Sequence, residues 1–338
     1  MNYLERIAER VINGNDTDWA MNINAFDWVP GVGLFGIYKA YTATGKYLDF
    51  LTDWADGHLR EASVQRTVNS TAPMLTVLQL YKETGNKRYL DAALEAGGYI
   101  MHCAPLTREG GLEHTVTEEV EGFSEQMWAD TLFMACIFIA ELGDVTGDKA
   151  YTDFAVKQTL IHHKVLSDGS GLYFHGWNCK AHNSMSAVRW ARANAWIILS
   201  SMYILNAAGE FEGRGTIENY VKKHSEALKA VQTENGAYRT ILDDASAYEE
   251  MSATAGITAG LILARRENLI GEEFDSVIER GVKAVENATS ENGEVNGVST
   301  GTPVMKNAEE YKQIQCCTTL YGQGLAMIMF AELTGGKQ

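Results

Sequence analysis

The chain has 338 residues, enough for one large domain or two ordinary ones, and its 46% hydrophobic and 21% charged residues describe a globular protein. Its formal charge of −16, from 44 acidic and 28 basic residues, makes nucleic acid a poor partner, since phosphate binding needs a basic face. No run approaches the ~18–20 apolar residues of a membrane span, so no membrane partner is expected.

The chain opens with MNYLERIAERVINGN, an amphipathic helix with charges throughout and without the apolar stretch of a signal peptide. A repeated unit follows: a helix, a Thr-Gly stop, then another helix. It covers 30–44 and 46–59 around Thr44-Gly45, 72–84 and 87–104 around Thr84-Gly85, and 125–145 and 148–166 around Thr146-Gly147. A glycine just past a helix takes the left-handed conformation at little cost, which makes each pair a hairpin. Further helices read at 188–208, 215–231, 250–266, 270–289 and 318–335, the last closed by Thr334-Gly335, for twelve in all. Gly171–Phe174 and Ala237–Leu242 are the best short strands. Six helical hairpins suggest a closed toroid of inner and outer helices, with an open bundle or solenoid as the alternative. Ser252–Ala264 and Tyr321–Leu333 have the small, apolar character of inner helices; Lys87–Ile100 and Glu218–Val231 are amphipathic, as outer ones are. The long loops 14–30, 104–124, 167–187, 233–249 and 290–317 should gather at the end where inner helices begin and form a pocket there.

One stretch stands out within this frame, Glu121–Ile139 (EGFSEQMWADTLFMACIFI), where Asp130 sits in an otherwise apolar helical run. A buried ionised carboxylate must be paired or change its pKa. It is either an Asp bonded to backbone or Arg, or an acid at a helix start whose pKa burial raises for proton transfer. A second stretch, GLYFHGW (171–177) followed by RWARANAW (189–196), holds His175 among aromatics, with Arg189 and Arg192 flanking Trp190. On a helix Arg192 and Trp196 share a face, which suits an anionic sugar: the guanidinium takes a carboxylate and an indole covers the ring. An Arg stacked on Trp at the surface and a bonded structural histidine are the plainer readings. Asp27-Trp28 is a candidate pocket rim; His162-His163 read as solvated, and Asp243-Asp244 and Glu249-Glu250 read as solvated surface, with cation binding as the alternative. The five cysteines, odd in number and without a CxxC, read as reduced thiols of a cytoplasmic protein. No phosphate loop, dinucleotide fingerprint, HExxH or GxSxG is present, and no metal or cofactor is called for.

WADTLFMA (128–135), LYFHGW (172–177), WARANAW (190–196), SATA (252–255) and YGQG (321–324), in this order, resemble glycoside hydrolase family 105, the unsaturated rhamnogalacturonyl hydrolases, with relatives that act on unsaturated glucuronyl ends. The resemblance runs from about Trp28 to Glu332 and implies an all-α (α/α)6 barrel, expected here as a single catalytic domain over 1–338. It implies an enzyme that hydrates the C4=C5 double bond of a terminal unsaturated uronic acid left by a polysaccharide lyase, on a small oligosaccharide. Asp130 would be the one general acid and base, and Trp128, His175, Arg192 and Trp196 would bind substrate, with Trp190 counted beside them. Asn69 stands where the family commonly carries an Asp that bonds the uronyl hydroxyls. It keeps the hydrogen bonds but not the acid chemistry. An anionic substrate in an acidic protein requires a locally positive pocket, expected from Arg192, Arg189 and His175. A sugar epimerase, a conventional inverting glycosidase, a non-pectin glucuronyl hydrolase and a helical scaffold are the other readings. The leaving sugar and the choice between monomer and homodimer stay open.

Overall fold

The computed structural model describes residues 2–14, 16–116 and 121–335. Within them the chain runs α1 (Tyr3–Ile12), α2 (Trp28–Thr44), α3 (Leu48–Val64), α4 (Ala72–Thr84), α5 (Lys87–His102), β1 (Gln126–Trp128), α6 (Ile137–Thr146), α7 (Lys149–Leu166) and β2 (Gly176–Asn178). It continues with α8 (Ala191–Ala208), α9 (Arg214–Val231), α10 (Met251–Arg266), α11 (Asp275–Ala288), α12 (Ala308–Lys312) and α13 (Leu320–Leu333). Helices α2, α4, α6, α8, α10 and α13 pack side by side in that order, and α13 returns to α2, which closes a ring. Helices α1, α3, α5, α7, α9 and α11 lie outside it. This is the expected (α/α)6 barrel.

Inner helices are buried on all sides. Every residue of α10 from Met251 to Ala264 is shielded from solvent, as is α13 from Leu320 to Glu332. Outer helices are amphipathic; α11 buries one stripe through Val277, Ile278, Gly281, Val282 and Val285. The Thr-Gly stops behave alike. Gly45, Gly85 and Gly147 are left-handed C-caps, and the preceding threonine hydroxyl donates back to the carbonyl four residues earlier at 2.6–2.7 Å. Short turns therefore collect at one end of the barrel, and the long loops lead into the N-termini of the inner helices at the other.

Two readings of the sequence change. The stretch 125–145 is not one helix. It is the strand β1, a turn, a helical run from Asp130, a π-helical turn at Leu132–Cys136 and then α6. The chain's small sheet pairs β1 with β2; Tyr173 and Ile241, in the expected strands, form only isolated bridges with Ser167 and Trp190. Three-residue strands carry too little alternation to be read, and here loop packing decides them. The short α12, inside the last long loop, also escapes the pattern. Among the described residues no helix is long and apolar enough to cross a membrane.

The ring closes where α13 meets α2, and that seam needs glycines. A methyl on Gly36 would lie 2.6 Å from the Gly324 Cα, and one on Gly324 would collide with the Val32 carbonyl. Gly324→Ala should therefore force the helices apart and lower the unfolding free energy by about 1–3 kcal/mol, despite the better helix propensity of alanine. Urea denaturation compared with Gly57→Ala, where a methyl meets open space, checks this.

Candidate active site

The β1–β2 ladder is the bracket that assembles the site. Met127 pairs with Trp177 and Trp128 with Gly176, and one rung further the Ala129 N–H donates to the His175 carbonyl at 3.0 Å. Gly176 leaves room for this: a methyl there would press on Val304 at 2.9 Å and Trp128 at 3.3 Å. The chain then turns into its helical run, so Asp130 emerges at a helix start beside His175.

His175 has no exposed surface. Its ring lies between Trp128, edge-on at 5.3 Å, and Trp190, tilted at 4.1 Å. Its Nδ1 is 2.7 Å from the Tyr311 hydroxyl. Its Nε2 is 3.2 Å from Asp130 Oδ2, at ion-pair distance but without the alignment of a hydrogen bond, and neither atom has another partner. Burial pushes the Asp130 carboxyl up, yet the contact with His175, together with His114 and Arg192, outweighs it and holds the group below the ordinary carboxylate value. The helix N-terminus acts the same way. This corrects the raised pKa that burial alone predicts. Burial dominates at His175, which is held below the ordinary imidazole value despite Asp130. It also brings His114 down to about 4. The resting arrangement is a carboxylate beside neutral imidazoles.

Asp130 opens into a cavity of about 200 Å³ at the N-terminal mouth of the inner helices. Trp28, Trp128, Trp190, Phe123 and Met134 form apolar walls, and Trp19, half exposed, stands at the rim against Gly301–Pro303. His114 stacks on Trp128 at 4.4 Å. Asn69 lines the wall; its backbone N–H donates to Thr115, and its buried Oδ1 has no partner. Among the described residues Asp130 is the one carboxylate in the lining, and no group of three or more His, Cys, Asp or Glu side chains could hold a metal ion.

Arg192 lines the cavity differently from expectation. Its guanidinium lies over the Trp190 ring at 4.4 Å and the Tyr321 ring at 4.8 Å. Its Nη1 and Nη2 donate to Ser299, Ser252, the Thr300 carbonyl and Thr302, and Nη1 faces Glu250 at 3.4 Å. Both terminal nitrogens are thus bound within the chain, and the charge is balanced by a fully buried Glu250. Glu250 also caps α10 through the Ala253 N–H and accepts from the Ser299 N–H at 2.9 Å. Trp196 does not reach the cavity; it is fully buried against Phe133 at 4.7 Å, one helical turn below Arg192. Arg189 points away and pairs with Asp168 and Asp243. The positive pocket therefore does not rest on free arginine charge.

Of the residues singled out in the sequence, Asn69, Trp128, Asp130, Trp190, Arg192 and Trp28 stand in the lining of this one cavity, with His175 directly behind Asp130. The sequence misses Trp19, His114, Phe123 and 301–303, lone residues in long loops that no pattern marks. Residues 117–120 of the loop 104–124 lie outside the described residues. His162, His163 and Glu250, read as solvated, are fully buried.

The model of Glycosyl Hydrolase Family 88 matches residues 3–335. The chain belongs to glycosyl hydrolase family 88. This family-88 chain is 36% identical over 319 residues to the unsaturated rhamnogalacturonyl hydrolase YesR of Bacillus subtilis, covering 93% of this chain and 91% of that one. Two solved structures described as possible members of the GH105 family superpose with TM-scores of 0.93: one from Salmonella enterica at 28% identity over 98% of this chain and 93% of that one, and one from Klebsiella pneumoniae at 29% over 98% and 92%. The resemblance read from the motifs holds, and the family-88 chain is a glycoside hydrolase.

Breaking the buried ion pair should be costly. Glu250→Ala leaves Arg192 charged and unpaired, and should lower the unfolding free energy by about 3–5 kcal/mol in urea titrations.

Proposed function

We propose that this hydrolase removes the terminal 4,5-unsaturated uronic acid from lyase-generated oligosaccharides by hydrating the C4=C5 bond, with Asp130 as the single acid and base. The carrying observation is a cavity whose described lining holds one carboxylate, at a helix start, with aromatic walls and an unpaired Asn69 acceptor. An inverting glycosidase needs a second carboxylate about 6.5–9.5 Å away. The described lining holds none. A vinyl ether needs one proton delivered to C4, which leaves the positive charge shared between C5 and the ring oxygen. Water then adds at C5 and returns its proton to Asp130. The hemiketal opens to a C5 ketone, and the hemiacetal left at C1 releases the aglycone.

The substrate carboxylate finds its positive field in the N-termini of the inner helices. Its charge, brought into the cavity beside Asp130, disfavours the ionised acid and raises its pKa when substrate binds. Trp128 and Trp190 cover ring faces, and Asn69 Oδ1 takes a sugar hydroxyl. Rhamnose is the favoured leaving sugar, supported by the name of the Bacillus relative and by 30% identity over 216 residues to an unsaturated 3S-rhamnoglycuronyl hydrolase of Alteromonas, of which the match covers 50%. All five cysteines carry free thiols, in keeping with a reducing, cytoplasmic setting. The whole chain acts as one catalytic unit in this reading.

Loss of the ultraviolet absorbance of the enol ether tests the reaction. Wild type should bleach unsaturated rhamnogalacturonan disaccharide, and Asp130→Asn should be slower by about 10²–10⁴-fold. Unchanged absorbance with wild type, or full rate in Asp130→Asn, overturns the proposal. In ¹⁸O water the label should appear at C5. Asn69→Ala should lower kcat/KM about 3- to 10-fold, the worth of one hydrogen bond.

The pH profiles follow from the same charges. Free enzyme holds Asp130 below the ordinary carboxylate value, and bound uronate raises it. The alkaline limb of kcat should therefore lie at higher pH than that of kcat/KM, and coincident limbs would contradict the charge argument.

A further inference from the structure

We propose that Tyr311 is a positioning residue that holds His175 as its Nε2–H tautomer and so keeps the acidic proton of Asp130 on Oδ1, the oxygen left open to the cavity. This rests on the reading of Asp130 as the acid. Tyr311 lies on α12, outside the barrel helices, and its ring has no exposed surface. The Met305 backbone N–H donates to its hydroxyl oxygen at 3.2 Å, a direction that cannot reverse. The hydroxyl proton then has two acceptors in reach, His175 Nδ1 at 2.7 Å and Ser186 Oγ at 3.5 Å. The 2.7 Å spacing is the usual length for an O–H donor and short for an imidazole N–H, which assigns the proton to the bond with His175. With Nδ1 accepting, the imidazole proton sits on Nε2, which faces Asp130 Oδ2 at 3.2 Å.

The consequence concerns which oxygen carries the reactive proton. Oδ2 is shut off from solvent and has no other partner. With an N–H on Nε2 at 3.2 Å, a proton on Oδ2 would set two hydrogens against each other even without a well-aligned hydrogen bond, so the carboxylic proton is on Oδ1. In the other tautomer Nε2 would be a bare base. A protonated Asp130 would then donate Oδ2–H to it and bury the proton away from the substrate. Ionised Asp130 favours the productive tautomer by itself. The tyrosine matters once Asp130 is neutral, at the moment of catalysis. The hydrogen bond from Met305 also ties this setting to the 301–306 loop, whose 301–303 stretch lines the cavity.

The test reads tautomers directly by ¹⁵N NMR of His-labelled protein, with the His175 signals assigned by their absence in His175→Gln. Asp130→Asn stands in for the neutral acid. Wild type and Asp130→Asn should both show Nε2–H with an unprotonated Nδ1, and Asp130→Asn/Tyr311→Phe should show a mixture or Nδ1–H. Ser186→Ala should leave the tautomer and kcat unchanged. Unshifted His163 signals show that each variant is folded. With Asp130 intact, Tyr311→Phe should lower kcat about tenfold with KM within about twofold, the loss of one hydrogen bond expressed only in the reacting state. A double variant that keeps the Nε2–H spectrum, or a tautomer change in Ser186→Ala, overturns the proposal. The spectra need no substrate, so this failure is distinct from failure of the hydration reaction.

Discussion

A carboxyl group 3.2 Å from an imidazole that lies between two indole rings is the contact around which this barrel is arranged. Left alone at that depth, each group would shed its charge. The structure lets the carboxylate persist by placing it at a helix start, in contact with His175 and near His114 and Arg192, which outweighs the desolvation its aromatic surroundings impose. The small sheet exists to make that contact: its last rung joins Ala129 to His175, the residues on which the pair depends.

Charge around the cavity is managed by balance. Arg192 brings a cation to the wall, but Glu250 beneath it cancels the net charge, and the hydrogen bonds of both hold 299–302 in place. A buried pair of this kind adds little net stability but fixes geometry, because neither partner can move without stranding the other. The same loop reaches Tyr311 through Met305, so the arginine, the tyrosine and the cavity rim share one segment. The cavity lining is drawn mainly from the stretches that lead into the inner helices α2, α4, α6 and α8 and from 301–303.

Much of the barrel is legible before folding. Thr44-Gly45, Thr84-Gly85 and Thr146-Gly147 stop helices by local chemistry, and the all-apolar runs of α10 and α13 can only be inner. Asp130 is legible for the same reason: a carboxylate in such a run is an anomaly that needs a function. Trp19, His114 and Phe123 are not legible, because a loop residue acquires meaning only from what lies opposite it. Arg192 and Trp196 show the limit of helical spacing. They do share a face, but that face runs from the mouth into the core, so one turn separates a cavity wall from the packing beneath it.

Sequence alone therefore determined the helical hairpins, their inner and outer character, the family and the identity of the buried carboxylate. Each follows from interactions within a turn or two of chain, or from runs of composition. Tertiary structure decided the rest: that Asp130 rests below its ordinary pKa instead of above it, that Arg192 is spoken for by Glu250, and that Tyr311 stands behind His175. Those depend on groups 45, 58 and 136 residues apart. A buried charge takes its energy from whatever surrounds it in space, and no local pattern records those neighbours.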